Sequence, residues 1–180
     1  MKEFKAYYLS PIGPLEVSGT SEGIVSVTFV KTRLPNDRNL PECVKEGIRQ
    51  LEEYFKGARK NFSLKLLLQG TPFQKLVWQR LKKIPYGKLA SYGEVARAIG
   101  KPNAYRAVGN ANNKNPIAII IPCHRVIGSD GTLVGYGGGL WRKEWLLDHE
   151  NPSLTSMGTK FILWHYITKT GSLSGLVCSS

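Results

Sequence analysis

One cysteine in this chain stands in a setting suited to nucleophilic chemistry. Pro122-Cys123-His124-Arg125 follows the apolar, β-branched run Ile117 to Ile121 and precedes a glycine-rich stretch, Gly135 to Gly139. A lone Cys is usually a small, inert hydrophobe. The thiolate is the reactive form, and apolar surroundings raise the thiol pKa, so a reactive Cys123 needs a base nearby. His124 is the base at hand. The run before Cys123 reads as a buried strand, and adjacent side chains on a strand point to opposite faces. Cys123 and His124 therefore need a bridging water, or a turn directly after the cysteine. A third member comes from the helix predicted over Leu140 to Glu150. At about 100° per residue, Glu150 falls between Leu146 and Leu147 on the apolar side. An acid on that face, in a last turn where the helix dipole disfavours it, breaks two local rules, as functional sites do. A frayed, solvated helix end explains it equally well.

Other chemistries are poorly served. Three cysteines (Cys43, Cys123, Cys178) at unrelated spacings make no disulfide framework. The three histidines form no His-x-x-x-His pair and no Cys-x-x-Cys occurs, so neither a metal site nor a cofactor is expected. The start, Met1-Lys2-Glu3-Phe4-Lys5, has no apolar stretch after its charges, which argues against a secretory signal. Phe161 to Ile167 is too short to span a bilayer. The expectation is a cytoplasmic, monomeric chain with no membrane partner.

Twenty-five Lys and Arg against 13 Asp and Glu give a net charge of +12 over 180 residues. Such an excess favours a polyanion, most often nucleic acid, because each phosphate contact releases condensed counterions. It also serves solubility alone. Residues 1–70 carry 11 basic and 8 acidic residues, whereas residues 71–150 carry 12 and 5, which makes the second half the DNA-facing one.

The elements that must position these residues divide accordingly. Phe4 to Ser10, Leu15 to Val17 and Ile24 to Lys31 read as antiparallel strands around the turn Pro11-Ile12-Gly13-Pro14. Pro41 opens a helix with Val44, Ile48, Leu51 and Phe55 on one face, ended by Gly57, and Phe62 to Leu68 reads as another strand. Gln69-Gly70-Thr71-Pro72 marks a boundary. Thr71 caps a helix whose shared face is Phe73, Leu76, Val77 and Leu81, broken at Pro85-Tyr86-Gly87. Ser91-Tyr92-Gly93-Glu94 is a capping box for a helix burying Val95 and Ile99. Asn103 then caps a helix from Ala104 to about Asn113. Two short helices joined through Gly100 have the outline of a helix-turn-helix. The second is small-sided and includes Gly109, which costs about 1 kcal/mol against Ala inside a helix. Either the backbone of a partner or a neighbouring helix comes close there. The fold class is α+β: a small N-terminal β-sheet plus helix platform over residues 1–70, and a mostly helical, winged helix-turn-helix-like domain over 71–150. Residues 151–180 form a tail of unknown role.

Ile120-Ile121-Pro122-Cys123-His124-Arg125-Val126 resembles the active-site signature of the O6-alkylguanine-DNA alkyltransferases (methylated-DNA–protein-cysteine methyltransferases). Thr71-Pro72-Phe73, Ile84-Pro85-Tyr86-Gly87, Ser91-Tyr92, Arg106-Ala107-Val108-Gly109, Asn115-Pro116, Gly135-Tyr136, Gly138-Gly139 and Lys143 to Glu150 are similar too, in order and at family spacing. The resemblance is strong over 71–150, weaker before it, and closer to the bacterial constitutive form than to the adaptive-response form with its extra zinc-binding domain.

The resemblance implies repair by direct damage reversal in double-stranded DNA. One alkyl group leaves O6 of guanine for good and stays on Cys123, with O4 of thymine left open as a second substrate. Cys123 would be the acceptor, activated through a water by His124, which Glu150 orients. Tyr92 would assist base flipping and donate a hydrogen bond to the departing guanine, and Asn115 would brace the active-site turn. Arg106 would fill the hole in the base stack, its helix lying in the minor groove, with Ala107, Gly109 and Ala111 small enough for close approach. Tyr136, Gly137 and Pro122 would wall the base pocket. Gly137 stands where many relatives carry a small hydroxyl residue, which removes one hydrogen bond to the guanine oxygen. Physical chemistry agrees with this scheme: an enzyme acting on a base inside a duplex must extrude it, and a side chain filling the gap offsets part of the unstacking cost. Two other readings remain. A cysteine hydrolase would need an oxyanion hole and leaves the basic helical pair unexplained. A non-catalytic lesion binder of the alkyltransferase-like kind replaces the acceptor cysteine, which is present here.

Overall fold

The computed structural model describes residues 2–154. The segment from 155 onward, with the Phe161 to Ile167 run and Cys178, lies outside the described residues. Strands β1 (Phe4–Ser10), β2 (Gly13–Thr20) and β3 (Gly23–Phe29) form an antiparallel meander in the order β1-β2-β3. Helix α1 (Glu42–Phe55) lies across it, starting after Pro41 and ending before Gly57, whose φ of 74° suits a residue without a Cβ. Val44, Leu51, Tyr54 and Phe55 are buried, with Gly47 at the closest approach. A Cβ at Gly47 would lie 3.1 Å from Ile24 Cδ1, so the missing methyl lets the helix settle on the sheet.

Phe62 to Leu68 is not a strand. It runs extended beside β3 and meets it in one isolated bridge, Ile24 to Leu66, through Ile24 N–Lys65 O (2.9 Å) and Leu67 N–Ile24 O (2.8 Å). Its alternating apolar residues satisfy a strand pattern, but it has a ladder partner for only one step.

Helix α2 (Pro72–Leu81) begins at a capping box, Thr71 with Gln74, and has Pro72 at its first position. Its buried face is Val77, Trp78 and Leu81; Leu76, expected inside, is exposed. The indole moves the face: Trp78 Nε1 donates to Ala111 O at 2.8 Å, so the largest side chain points inward. Strand β4 (Ala90–Ser91) leads into α3 (Tyr92–Ala98), which opens on the Ser91–Glu94 capping box and ends before Gly100. Helix α4 (Tyr105–Asn113) follows, but Asn103 does not cap it: Pro102–Ala104 is a 3-10 turn, and Ala104 precedes the helix without a side-chain cap. Strand β5 (Val126–Ile127) pairs in parallel with β4, and α5 (Leu140–Glu150) closes the described chain apart from a short 3-10 turn.

Ile117 to Ile121 is buried but is also not a strand. Residues 119 and 120 form a turn, Ile119 takes φ 71°, and Ile121 N bonds back to Ile117 O (3.0 Å). A positive φ at a β-branched residue is strained, and the surroundings enforce it. Val27 N of β3 donates to Pro116 O (2.9 Å), and the Val27 carbonyl accepts from Ala118 N (2.9 Å). One continuous hydrophobic core joins residues from β1–β3, α1–α4 and this turn. Among the described residues, no helix is long and apolar enough to cross a membrane.

Candidate active site

The strained turn delivers Cys123 onto a 3-10 turn, Cys123–Arg125, rather than onto a strand end. Successive side chains there do not alternate between two faces, which removes the geometric objection to Cys123 and His124 acting together. Cys123 is 5% exposed. Asn115 holds it: its Nδ2 donates to Cys123 Sγ (3.1 Å) and Ile121 O (2.8 Å), while its Oδ1 accepts from Ile117 N (3.0 Å). Burial pushes the Cys123 thiol up, and the Asn115 amide and the Lys143 ammonium offset this only in part. The resting group is therefore a thiol, and its activation needs a base.

His124 is fully buried, and Glu150 Oε1 lies 2.8 Å from its Nε2. Burial lowers the imidazole pKa, against the pull of Glu150, so the ring is neutral at neutral pH. With Nε2–H donating to the carboxylate, the lone pair resides on Nδ1, and Nδ1 has no hydrogen-bond partner in the protein. That atom is the one on the ring free to take a proton.

Glu150 is no frayed helix end. Its carboxylate also accepts from Tyr54 Oη (2.8 Å), Gly87 N (3.0 Å), Arg125 Nε (2.8 Å) and Arg125 Nη2 (2.8 Å). Burial alone would raise its carboxyl pKa, but His124 and Arg125 hold it well below the usual carboxylate range. Fixed donors thus overcome both the apolar face and the unfavourable helix end. Arg125 Nη1 also bonds Ile84 O (2.6 Å), tying the site to the segment after α2.

A cavity of about 190 Å³ opens beside the cysteine, lined by Phe29, Asn112, Asn115, Cys123, Tyr136 and Gly137 among others. Of the three residues expected to wall a base pocket, Tyr136 and Gly137 line this cavity. Pro122 does not: it lines a separate cavity with Lys60, Lys82 and Lys83, because the turn at Cys123 sends the two neighbours to opposite sides. Tyr92 packs its ring beside Gly109, where a Cβ would sit 3.8 Å from it, and its Oη donates to Val134 O (3.1 Å). A Cβ at Gly109 would make only ordinary contact with that ring, so the ring does not by itself require the glycine. On α4, Arg106 and Ala107 are exposed and Gly109 is half-buried. Ala111 is buried, with its carbonyl taken by Trp78, and cannot face a groove; the small-residue stripe wraps from the surface into the core.

Sequence reasoning missed four participants. Lys143 is fully buried, donates to Val126 O (2.6 Å) and Val134 O (2.8 Å), and has its pKa pushed by burial to about 8. Its signal was present: Lys143, Leu146, Leu147 and Glu150 fall at i, i+3, i+4 and i+7, one helical stripe. Arg125 stood inside the motif without a role. Tyr54 and Asn112 had no local signal, since each hydrogen bond depends on long-range packing. Among the described residues, no group of three or more His, Cys, Asp and Glu is placed to hold a metal.

Two family models cover almost all of the described chain. The 6-O-methylguanine DNA methyltransferase, DNA binding domain, matches residues 72–152, and the ribonuclease-like domain of the same family matches residues 4–68. A methylated-DNA–protein-cysteine methyltransferase of Methanosarcina acetivorans is 51% identical over 152 residues, covering 82% of this chain and 97% of that protein. The crystal structure of Mycobacterium tuberculosis O6-methylguanine methyltransferase superposes with a TM-score of 0.75 at 44% identity, covering 84% of this chain and 94% of the other. The M. tuberculosis OGT structure in complex with DNA gives 0.73 at 42% identity, with 87% and 96% covered.

Proposed function

Since the chain belongs to the 6-O-methylguanine DNA methyltransferase family, we propose that it repairs double-stranded DNA by moving one alkyl group from O6 of an extruded guanine to Cys123, once per molecule. The observation that carries this is the unpartnered His124 Nδ1, left as the free base by a Glu150 that fixes Nε2–H.

The steps balance without a cofactor. The Cys123 thiol gives its proton, through a water, to His124 Nδ1, and the neighbouring carboxylate stabilises the imidazolium that forms. Asn115 Nδ2–H steadies the developing thiolate. Sulfur attacks the alkyl carbon; the S–C bond forms as the C–O6 bond breaks, and guanine leaves with the electron pair. The proton held on His124 then neutralises the departing base, aided by the Tyr92 hydroxyl, which burial keeps protonated with a pKa of about 12. A thioether remains. Nothing in this scheme cleaves it, which makes the reaction stoichiometric.

Residues 71–150 carry the chemistry and the DNA contacts in this reading, and residues 1–70 act as a platform that reaches the site through Tyr54. Arg106 and Ala107 on the exposed side of α4 enter the groove, with Arg106 in the gap left by the flipped base. The test is a substitution pair. Cys123→Ala is expected to lose all transfer from an O6-methylguanine duplex while still binding DNA in a mobility-shift assay. Transfer that survives in Cys123→Ala would place the acceptor elsewhere.

A further inference from the structure

The second cavity, the one Pro122 lines, has no part in the transfer steps above. It holds about 310 Å³ and opens between the Phe62 to Leu68 segment and the residues that follow α2. Phe62, Leu64, Leu66, Ile120 and Pro122 give it apolar walls, and the exposed Lys60, Lys82 and Lys83 stand at its margin. Among the described residues none of these three lysines forms an ion pair, and no acid lines the cavity. Arg125 also reaches it, but the Arg125 charge is already matched by Glu150. Three unmatched ammonium groups over apolar walls suit an anion that carries apolar groups of its own.

The backbone along one wall is unfinished as well. Phe62 to Leu68 runs parallel to β3, and its one bridge uses Lys65 O and Leu67 N. In a parallel pair the groups of the intervening residue point to the opposite edge, so Leu66 N–H and C=O face away from β3. Among the described residues the backbone groups of Leu64 and Leu66 have no hydrogen-bond partner. An edge of this kind is a template for another extended chain. Such a chain places every second side chain on one face, where an apolar residue can pack beside Leu64 or Leu66.

We propose that this groove docks an extended, acidic segment of a partner protein. The segment adds a strand along Leu64 and Leu66, sets alternate apolar side chains against the walls, and brings its carboxylates to Lys60, Lys82 and Lys83. Strand addition of this type takes affinity from main-chain hydrogen bonds and specificity from alternate side chains. A nucleic acid would use the lysines alone and leave the apolar walls and the open edge unmatched. None of the lining residues belongs to α3 or α4, so the segment and the DNA are held at the same time.

The probe is a short, fluorescein-labelled peptide in which valine alternates with glutamate, titrated with the full chain and read by fluorescence anisotropy. Saturable one-to-one binding is expected. The same peptide N-methylated along its backbone keeps the charges and apolar groups but loses its N–H donors, and is expected to bind about tenfold more weakly or worse. The double substitution Lys82→Glu with Lys83→Glu is expected to weaken binding by about tenfold or more, and Lys60→Glu, made separately, to weaken it in the same direction. Saturating undamaged duplex added to the complex is expected to leave the peptide bound and to raise the anisotropy further. No saturable binding overturns the proposal, as does equal affinity for the N-methylated peptide, an arm that needs no altered protein. Affinity unchanged by the charge reversals overturns it too. Displacement of the peptide by duplex likewise overturns it, and assigns the lysines to the DNA surface.

Discussion

Glu150 shows how a residue in the wrong place by local rules is made right by its neighbours. Tyr54, Gly87, His124 and Arg125 supply five hydrogen bonds to one carboxylate at a helix C-terminus. Removing the charge leaves Arg125 buried and unpaired, which typically costs ~3–5 kcal/mol. Glu150→Gln is therefore expected to lower unfolding stability by about that amount in a denaturant titration. It is also expected to slow transfer by ~10²-fold or more, because the His124 tautomer is no longer enforced. The sign with pH follows from the depressed folded pKa of Glu150. Its contribution is complete above the ordinary carboxylate pKa of about 4.3 and is lost as pH falls towards the folded value. The stability gap between the native protein and Glu150→Gln should thus be flat above about pH 5 and shrink in acid; a gap that widened on acidification would contradict the ion-pair account. At this scale Cys123 and His124 were legible as candidates from residue types, whereas the helical angle of Glu150 fitted a frayed helix end equally well and only the family resemblance gave it a role. Arg125 and Tyr54 were not legible, because neither motif nor periodicity says which buried donor meets which acceptor.

Elements whose ends are encoded locally were the ones legible in the sequence. The Thr71–Gln74 and Ser91–Glu94 capping boxes sit where side-chain chemistry sets them, and α5 from Leu140 to Glu150 starts after Gly139, whose φ is 91°, without a side-chain cap. Two apolar stretches misled for a physical reason: Phe62 to Leu68 alternates and Ile117 to Ile121 is rich in β-branched isoleucine, but tertiary hydrogen bonds to β3 decide their conformation. Local propensity cannot foresee Ile119 at φ 71°. The same limit applies to α4, where Ala111 belongs to the small-residue stripe yet turns inward to Trp78. The exposed part of α4 carries its own prediction. Arg106→Ala is expected to slow repair of duplex DNA at least tenfold while leaving reaction with free O6-benzylguanine within about twofold, since a free base leaves no gap to fill. Equal losses on both substrates would assign Arg106 to the pocket or to folding.

For the molecule as a whole, a +12 charge, a DNA-binding fold and a packed acceptor cysteine combine into a protein that is used once. The charge excess was legible from composition, and its meaning came from the helical pair that follows Thr71. Use has a structural consequence. Cys123 lies between a core continuous with both halves of the described chain and the cavity of about 190 Å³, so the added alkyl group overpacks the site where it meets packed residues rather than the cavity, at a typical cost of ~1–3 kcal/mol. For a chain of this size each kcal/mol shifts the melting temperature by about 2–4 °C. The methylated protein is expected to melt several degrees below the free form, and the benzylated protein lower still; equal or higher melting temperatures would mean spare volume around Cys123. The most direct test of the central claim is the intact mass of the protein after incubation with excess duplex containing O6-methylguanine, followed by peptide mapping. The account predicts a gain of one methyl group per chain, located on Cys123, with no further transfer however long the reaction runs. A mass that stays unchanged while methylguanine is consumed, or a methyl group mapped to any other residue, contradicts it.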